Sequence, residues 1–254
     1  MVRLSNHRLL IRHIIIIRFA KKLKVADQVA EFYDKYSESQ RKTGVHIRHY
    51  TILKKLKAAG LKSDSKILEI GCGIGTLTGL LAGFVREGKV ICTDISPESI
   101  SIAKSLNSNY SNIEYFVTDM SDFKPSDKFD FIVFPDVLEH IPKEQHNNIF
   151  RNISKSIHPE SKVAVHIPDP INLQYVRDKT PELLQIIDQP LFIEDFAAAV
   201  KDTPFMVEIY ERYCLFNREP DYNWLLFSVK RSYNTTEKQS RYKLKIIELF
   251  RRYF

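Results

Sequence analysis

Three glycines recur at every second position in Leu68-Glu69-Ile70-Gly71-Cys72-Gly73-Ile74-Gly75-Thr76. A turn of this composition lets a ligand lie against the backbone with no Cβ in the way, and it tolerates positive φ. Asp94 stands 23 residues beyond Gly71, at the end of the next apolar run. A carboxylate placed there can accept hydrogen bonds from both hydroxyls of a ribose. Loop and acid together describe a nucleoside or nucleotide site, whereas Asp94 by itself also reads as a solvated strand end.

The dinucleotide fingerprint is G-x-G-x-x-G, but this loop reads Glu-x-Gly-x-Gly-x-Gly. It resembles motif I of the class I S-adenosylmethionine-dependent methyltransferases, and the resemblance extends from about Phe32 to Val229. The resemblance implies that Glu69, Gly71, Cys72, Gly73 and Gly75 lie against the methionine and ribose part of S-adenosylmethionine, which has no pyrophosphate to hold. Asp94 and Ile95 are then expected at the ribose, and Phe134 beside the cofactor. Thr118-Asp119-Met120 follows the third strand, where the family commonly has an acid accepting from the adenine amino group and a backbone N–H meeting the ring. Asp119 and Met120 take those places by resemblance, although Asp119 alone is also an ordinary turn residue.

A second match is Phe131-Ile132-Val133-Phe134-Pro135-Asp136-Val137-Leu138-Glu139-His140-Ile141-Pro142. It looks like the D-V-L-E-H-I segment after the fourth strand in small-molecule methyltransferases, including the branch that O-methylates ubiquinone precursors. Methyl transfer from a sulfonium is an in-line displacement, so the main work is holding donor and acceptor in line. An acceptor hydroxyl or protonated amine must also lose a proton, and His140 is the candidate general base because histidine titrates near operating pH. The alternative is that Glu139 and His140 cap a helix and orient the loop. The Asn/Asp-Pro-Pro-Tyr/Phe motif of enzymes that methylate nucleic-acid amino groups is absent, as is the Pro-Cys nucleophile of cytosine C5 enzymes. Both absences argue against nucleic-acid bases as acceptors.

Alternating elements must position these residues. Ile67, Leu68 and Ile70 form a short β-branched-rich run ended by glycine, as a strand buried on both faces should be. Leu77, Leu80, Leu81, Phe84 and Val85 then follow one helical face. Lys89–Asp94 reads as a strand, and Ser96-Pro97 caps the helix through Ile100, Ala103 and Leu106. Strands are predicted at Ile113–Val117, Phe129–Phe134 and Lys162–Ile167, with a helix carrying Ile149, Phe150, Ile153 and Ile157 between the last two. A helix at Ile193–Val200 leads to β runs Val207–Phe216 and Tyr222–Val229, joined by a tight Asn217–Asp221 connection. The predicted fold is therefore α/β, a doubly wound, mostly parallel seven-stranded sheet with an antiparallel last strand.

Before the sheet, Ala26 to Ala58 reads as two helices turning at Thr43-Gly44. Helices placed there are expected to cap the site, with Tyr36, Gln40 and Arg48 touching the cofactor carboxylate or the acceptor. A surface helix has much the same composition. His166, on the fifth strand, faces either the acceptor or the packing.

The chain has 254 residues, 44% hydrophobic, enough for one sizeable core. Four segments are expected: basic 1–24, helical cap 25–62, methyltransferase domain 63–231 and basic amphipathic tail 232–254. Three cysteines without metal-ligand spacing fit a reducing, cytoplasmic compartment, and no metal is expected. The apolar run from Leu9 to Ala20 is broken by Arg12, His13 and Arg18, too short for a membrane span. Net charge is +7, yet Met1–Lys24 holds seven basic residues and no acid, and Ser228–Phe254 holds eight against two. The middle has 23 basic and 29 acidic residues, so a polyanionic duplex does not suit it. Tyr242, Ile246, Leu249, Phe250 and Tyr253 share a helical face with basic neighbours, a candidate peripheral membrane contact.

The expected function is transfer of a methyl group from S-adenosylmethionine, leaving S-adenosylhomocysteine, to an oxygen or nitrogen of a small-molecule acceptor. The alternatives are a protein or RNA methyltransferase recruited by the basic tails, and a non-catalytic cofactor-binding module. Neither the acceptor nor the oligomeric state is written in these residues.

Overall fold

The structure is a computed structural model that describes residues 41–120, 123, 127–185, 187–232 and 240–253. Tyr36, Gln40 and the basic segment 1–24 lie outside the described residues. The helices are α1 (Ile47–Ala58), α2 (Thr76–Phe84), α3 (Pro97–Leu106), α4 (Lys143–Ile153), α5 (Pro170–Lys179), α6 (Ile193–Ala199) and α7 (Arg241–Tyr253). The strands are β1 (Lys66–Ile70), β2 (Lys89–Asp94), β3 (Ile113–Val117), β4 (Phe129–Pro135), β5 (Ile157–Pro168), β6 (Phe205–Tyr213) and β7 (Tyr222–Val229). They form one seven-stranded sheet in the order β3-β2-β1-β4-β5-β7-β6. β7 is antiparallel to both neighbours, and the other six strands run parallel, as the predicted fold required.

Side chains alternate across this sheet, so each central strand feeds two cores. Ile67, Phe131, Val133, Ala164, Trp224 and Leu226 pack under α1, α2 and α3 with Ile52, Leu56, Leu77, Leu81 and Ile100. Leu68, Ile132, Phe134, Val163, Val165, Leu225 and Phe227 pack on the other face against Ile149 and Phe150 of α4 and Phe196 of α6. Helix α1 is thus part of the first core. The strand order reverses between β1 and β4, and the carboxyl ends of those two strands open the crevice where such sheets hold ligands.

Local chemistry sets the element ends. Ser96 accepts from the Ser99 N–H (3.0 Å) and Pro97 fills the first turn of α3. Helix α4 stops at Ile153 rather than carrying Ile157, which is the first residue of β5. Between Ile157 and Lys162 the register with β4 shifts. There the Ser161 hydroxyl accepts from the His158 N–H (2.8 Å) and donates to the Phe129 carbonyl (2.6 Å), which holds the bulge in the strand.

Two further differences lie after β5. Helix α5 was not expected, although Asp169-Pro170 is an N-cap and first-turn pair: the Asp169 carboxylate accepts from Ile171 and Asn172 N–H (2.9 and 3.3 Å). β6 ends at Tyr213, three residues before the predicted Phe216. The Asp221 carboxylate gathers the N–H groups of Leu215, Phe216 and Asn217 (2.6, 2.8 and 3.0 Å), which turns that stretch into a loop.

Candidate active site

The glycine loop is closed onto β2 by its own amides. Gly71 and Cys72 N–H both donate to the Thr93 carbonyl (2.8 and 3.0 Å), and Gly73 N–H donates to Asp94 Oδ2 (2.8 Å). Asp94 Oδ1 accepts from the Ser96 N–H (2.9 Å). Asp94 therefore ties the loop after β1 to the turn after β2, and the residue is half-buried. Gly71, Gly73 and Gly75 have φ of 75°, 53° and 78°. A Cβ on Gly71 would fall inside the Val137 side chain, so the loop is a cradle only glycine permits.

Glu69 sits beneath this loop and is fully buried. Its Oε2 accepts from the Thr78 hydroxyl (2.6 Å) and the Cys92 thiol (3.7 Å), while Oε1 has no hydrogen-bond partner. Burial pushes its carboxyl up to about 7, which the Thr78 and Cys92 bonds only partly oppose. Cys72 is buried in the first core, its thiol 3.6 Å from the Gly73 carbonyl. Ile95 is half-buried beside Asp94. Asp119 is exposed beyond β3, and Met120 follows at φ 66° with its N–H on the Thr118 hydroxyl (3.0 Å). The Phe134 ring is in the second core, stacked 6.1 Å from Phe150, which leaves its backbone as the part nearest the crevice.

At the end of β4, Asp136 adopts φ 57°, and its N–H donates to the His166 carbonyl (2.8 Å). This turn aims the Asp136 carboxylate back over the sheet. Arg48 Nη1 of α1 lies 2.6 Å from Asp136 Oδ2, and His166 Nδ1 lies 2.7 Å from Oδ1. His166 Nε2 meets the Tyr213 hydroxyl at 2.6 Å, and the Tyr222 ring stacks on the imidazole with centroids 4.6 Å apart. Burial pulls the Asp136 carboxyl up, yet Arg48 and His166 outweigh it and hold it at about 2. Four elements, α1, β4, β5 and β6, thereby meet in one chain of polar contacts at the carboxyl edge of the sheet.

His140 is one turn further on. Its Nδ1 lies 2.7 Å from the Ile187 carbonyl and 3.0 Å from Asp188 Oδ1, and its Nε2 lies 3.8 Å from Glu139 Oε1. Burial alone would lower its pKa, but the Glu139 charge and the Asp188 contact raise it to about 9. Glu139 is buried with neither carboxyl oxygen hydrogen-bonded, and burial raises it to about 8. Ile187 and Asp188 thus hold the imidazole in one orientation beside Glu139, an arrangement suited to positioning the segment that follows β4.

Of the residues named from sequence, the structure brings together the glycine loop, Asp94 and Ile95, and separately Arg48 with the segment from Asp136 to His140. Sequence reasoning missed Asp136, Asp188, Tyr213 and Tyr222 as site-forming groups. Asp136 carried a usable signal, since an aspartate just past a strand that ends at the crevice tolerates the left-handed turn. The tyrosines had none, because their place depends on how the β6–β7 hairpin lies against β5.

Comparison with known proteins agrees with this geometry. Residues 67–160 match the family described as "Methyltransferase domain". The chain is 28% identical over 103 residues to malonyl-[acyl-carrier protein] O-methyltransferase 1 of Ilyobacter polytropus, covering 41% of this chain and 36% of that one. It is 22% identical over 175 residues to trans-aconitate 2-methyltransferase of Methylobacterium nodulans, covering 69% and 61%. The chain thus spans little more than a third of the length of the first of these relatives and under two thirds of the second. Among solved structures, magnesium protoporphyrin IX methyltransferase from Synechocystis with bound S-adenosylhomocysteine superposes with a TM-score of 0.63 at 17% identity, covering 81% of this chain and 99% of that one. An N-methyltransferase from Bradyrhizobium japonicum in complex with S-adenosylhomocysteine gives 0.59 at 19% identity, covering 72% and 86%. Residues 67–160 thus match a methyltransferase domain, and the sheet that carries them has the fold of the S-adenosylmethionine-dependent methyltransferases.

Proposed function

We propose that this protein transfers a methyl group from S-adenosylmethionine to a carboxylate oxygen of an acidic acceptor. The observation that carries the choice of acceptor is that two basic side chains past the end of β4, Arg48 and His140, each hold a carboxylate, Asp136 at 2.6 Å and Asp188 at 3.0 Å, as an acidic acceptor would have to be held. A carboxylate is already ionised, so it needs a cationic anchor and correct placement, not a general base. The relatives named for malonyl-[acyl-carrier protein] and trans-aconitate act on acids.

S-adenosylmethionine supplies an electrophilic methyl on a sulfonium centre. The backbone of Gly71, Cys72, Gly73 and Gly75 would lie along its methionine and ribose part, with Asp94 and Ile95 at the ribose and Asp119 and Met120 at the adenine. Glu69 would support that loop from below through Thr78. Arg48 would meet a carboxylate of cofactor or acceptor from the α1 side, the role that the sequence resemblance also gives Tyr36 and Gln40.

A second reading is a phenolic hydroxyl acceptor, as in the ubiquinone-precursor branch that the segment from Asp136 to Ile141 resembles. It is favoured by the chain Asp136, His166, Tyr213, whose contacts of 2.7 and 2.6 Å order a phenol hydroxyl behind the end of β4. Incubation with methyl-labelled S-adenosylmethionine and a panel of di- and tricarboxylic acids, malonyl thioesters and catechols separates the two. The proposed activity gives a label released by mild alkali, as a methyl ester is. An alkali-stable product contradicts it, and an alkali-stable methyl ether favours the second reading.

A further inference from the structure

We infer that His166 is a positioning residue of the acceptor site, which acts through Asp136 to fix the place of Arg48. The inference rests on the proposed acidic acceptor, which Arg48 would meet. His166 lies on β5 and is fully buried, and it holds Asp136 twice. Its carbonyl accepts from the Asp136 N–H (2.8 Å), and its Nδ1 lies 2.7 Å from Asp136 Oδ1. Asp136 needs such a tether, because its φ of 57° is a left-handed conformation that costs an aspartate energy. Burial draws the Asp136 carboxyl up, but Arg48 and His166 hold it at about 2, so it is an anion and only accepts. Nδ1 therefore carries a hydrogen and donates it to Oδ1.

The ring is fixed from two more sides. Its Nε2 and the Tyr213 hydroxyl, 2.6 Å apart, share one hydrogen in either charge state of the imidazole, and the Tyr222 ring stacks on it with centroids 4.6 Å apart. Turn, carboxylate and imidazole thus form one unit, and Asp136 Oδ2, 2.6 Å from Arg48 Nη1, passes its rigidity to α1. A packing role would ask only for shape at position 166. The observed contacts ask for a donor where Nδ1 stands, which the amide of an asparagine offers and a leucine does not.

Wild type, His166→Asn, His166→Leu and Tyr213→Phe are titrated calorimetrically with S-adenosylhomocysteine and then, saturated with it, with trans-aconitate and with malonyl-coenzyme A. Wild type is expected to bind at least one of these acids. His166→Asn should keep that affinity within about threefold, and His166→Leu should lose at least about tenfold, the worth of one hydrogen bond to a charged group. S-adenosylhomocysteine should bind all four proteins alike, because the contacts of the glycine loop with Asp94 are untouched. Tyr213→Phe removes one hydroxyl from a half-buried residue and decides the matter if His166→Leu does not fold: its acid affinity should fall by about threefold or more. Acid affinity equal to wild type in His166→Leu, or in Tyr213→Phe where that variant decides, overturns the inference and leaves the acidic acceptor standing. A His166→Asn protein as weak as His166→Leu also overturns it, since packing alone would then explain the loss. So does a parallel loss of S-adenosylhomocysteine affinity, which would give Arg48 to the cofactor. If wild type binds neither acid, the acidic acceptor falls and the inference falls with it.

Discussion

Arg48 Nη1 lies 2.6 Å from Asp136 Oδ2, so helix α1 is tied to the end of β4 by an ion pair whose side chains are only 26% and 12% exposed. Removing one partner of a largely buried pair leaves the other charge without compensation. Asp136→Ala removes the carboxylate that Arg48 and His166 share and is expected to cost about 3 kcal/mol of stability. Arg48→Ala should cost less, since Asp136 keeps His166 at 2.7 Å. Urea midpoints of the two variants check the order, and an Asp136→Ala protein as stable as wild type would contradict it.

The glycine cradle gives a second expectation. Gly71 has φ 75°, and an added methyl there would collide with Val137. Gly71→Ala should lose about 2 kcal/mol of stability and most of its affinity for S-adenosylmethionine. Adding Val137→Ala removes the collision but not the backbone strain, so the double variant should recover only part of the stability. Full recovery would mean that the left-handed φ carries no strain.

The pair Glu139 and His140 sets a pH dependence. Glu139 is raised from 4.5 to about 8 in the folded protein, so its contribution to stability is complete below about 4.5 and is lost as pH rises through 8. His140 is raised from 6.5 to about 9, so its contribution is complete below 6.5 and is lost as pH rises through 9. Both act in the same direction: stability should fall from near neutrality to pH 9. Glu139→Gln removes one titration and weakens the other, so the decline in urea midpoint over this window should flatten. An unchanged slope would show that Glu139 does not titrate there.

Much of this arrangement was legible in the sequence because local pattern determines it. β2, β3 and β7 fall on their predicted bounds, since each is an apolar run punctuated by glycine, proline or an acid. The glycine loop and Asp94 were legible for the same reason, as spacing along the chain fixes their meeting. The Asp136, His166, Tyr213 chain was not, because it joins residues 30 and 47 positions apart through the register of β4, β5, β7 and β6. The end of β6 was misplaced for a related reason: the Asp221 carboxylate, from across the hairpin, overrides the β propensity of Leu215 and Phe216. His140 was read from its type as a base or as a support for the loop, and its contact with Asp188, 48 residues away in sequence, was not legible.

The most direct test of the whole account is calorimetric titration of the folded, ligand-free protein with S-adenosylmethionine, alongside Asp94→Ala. Asp94 ends β2 and closes the loop through the Gly73 and Ser96 amides, so its loss should weaken micromolar binding by about 1 to 3 kcal/mol. That result would fix the cofactor and its ribose contact together. No heat of binding from the wild-type protein, or equal affinity in the two proteins, would contradict the cofactor site described for the glycine loop and Asp94.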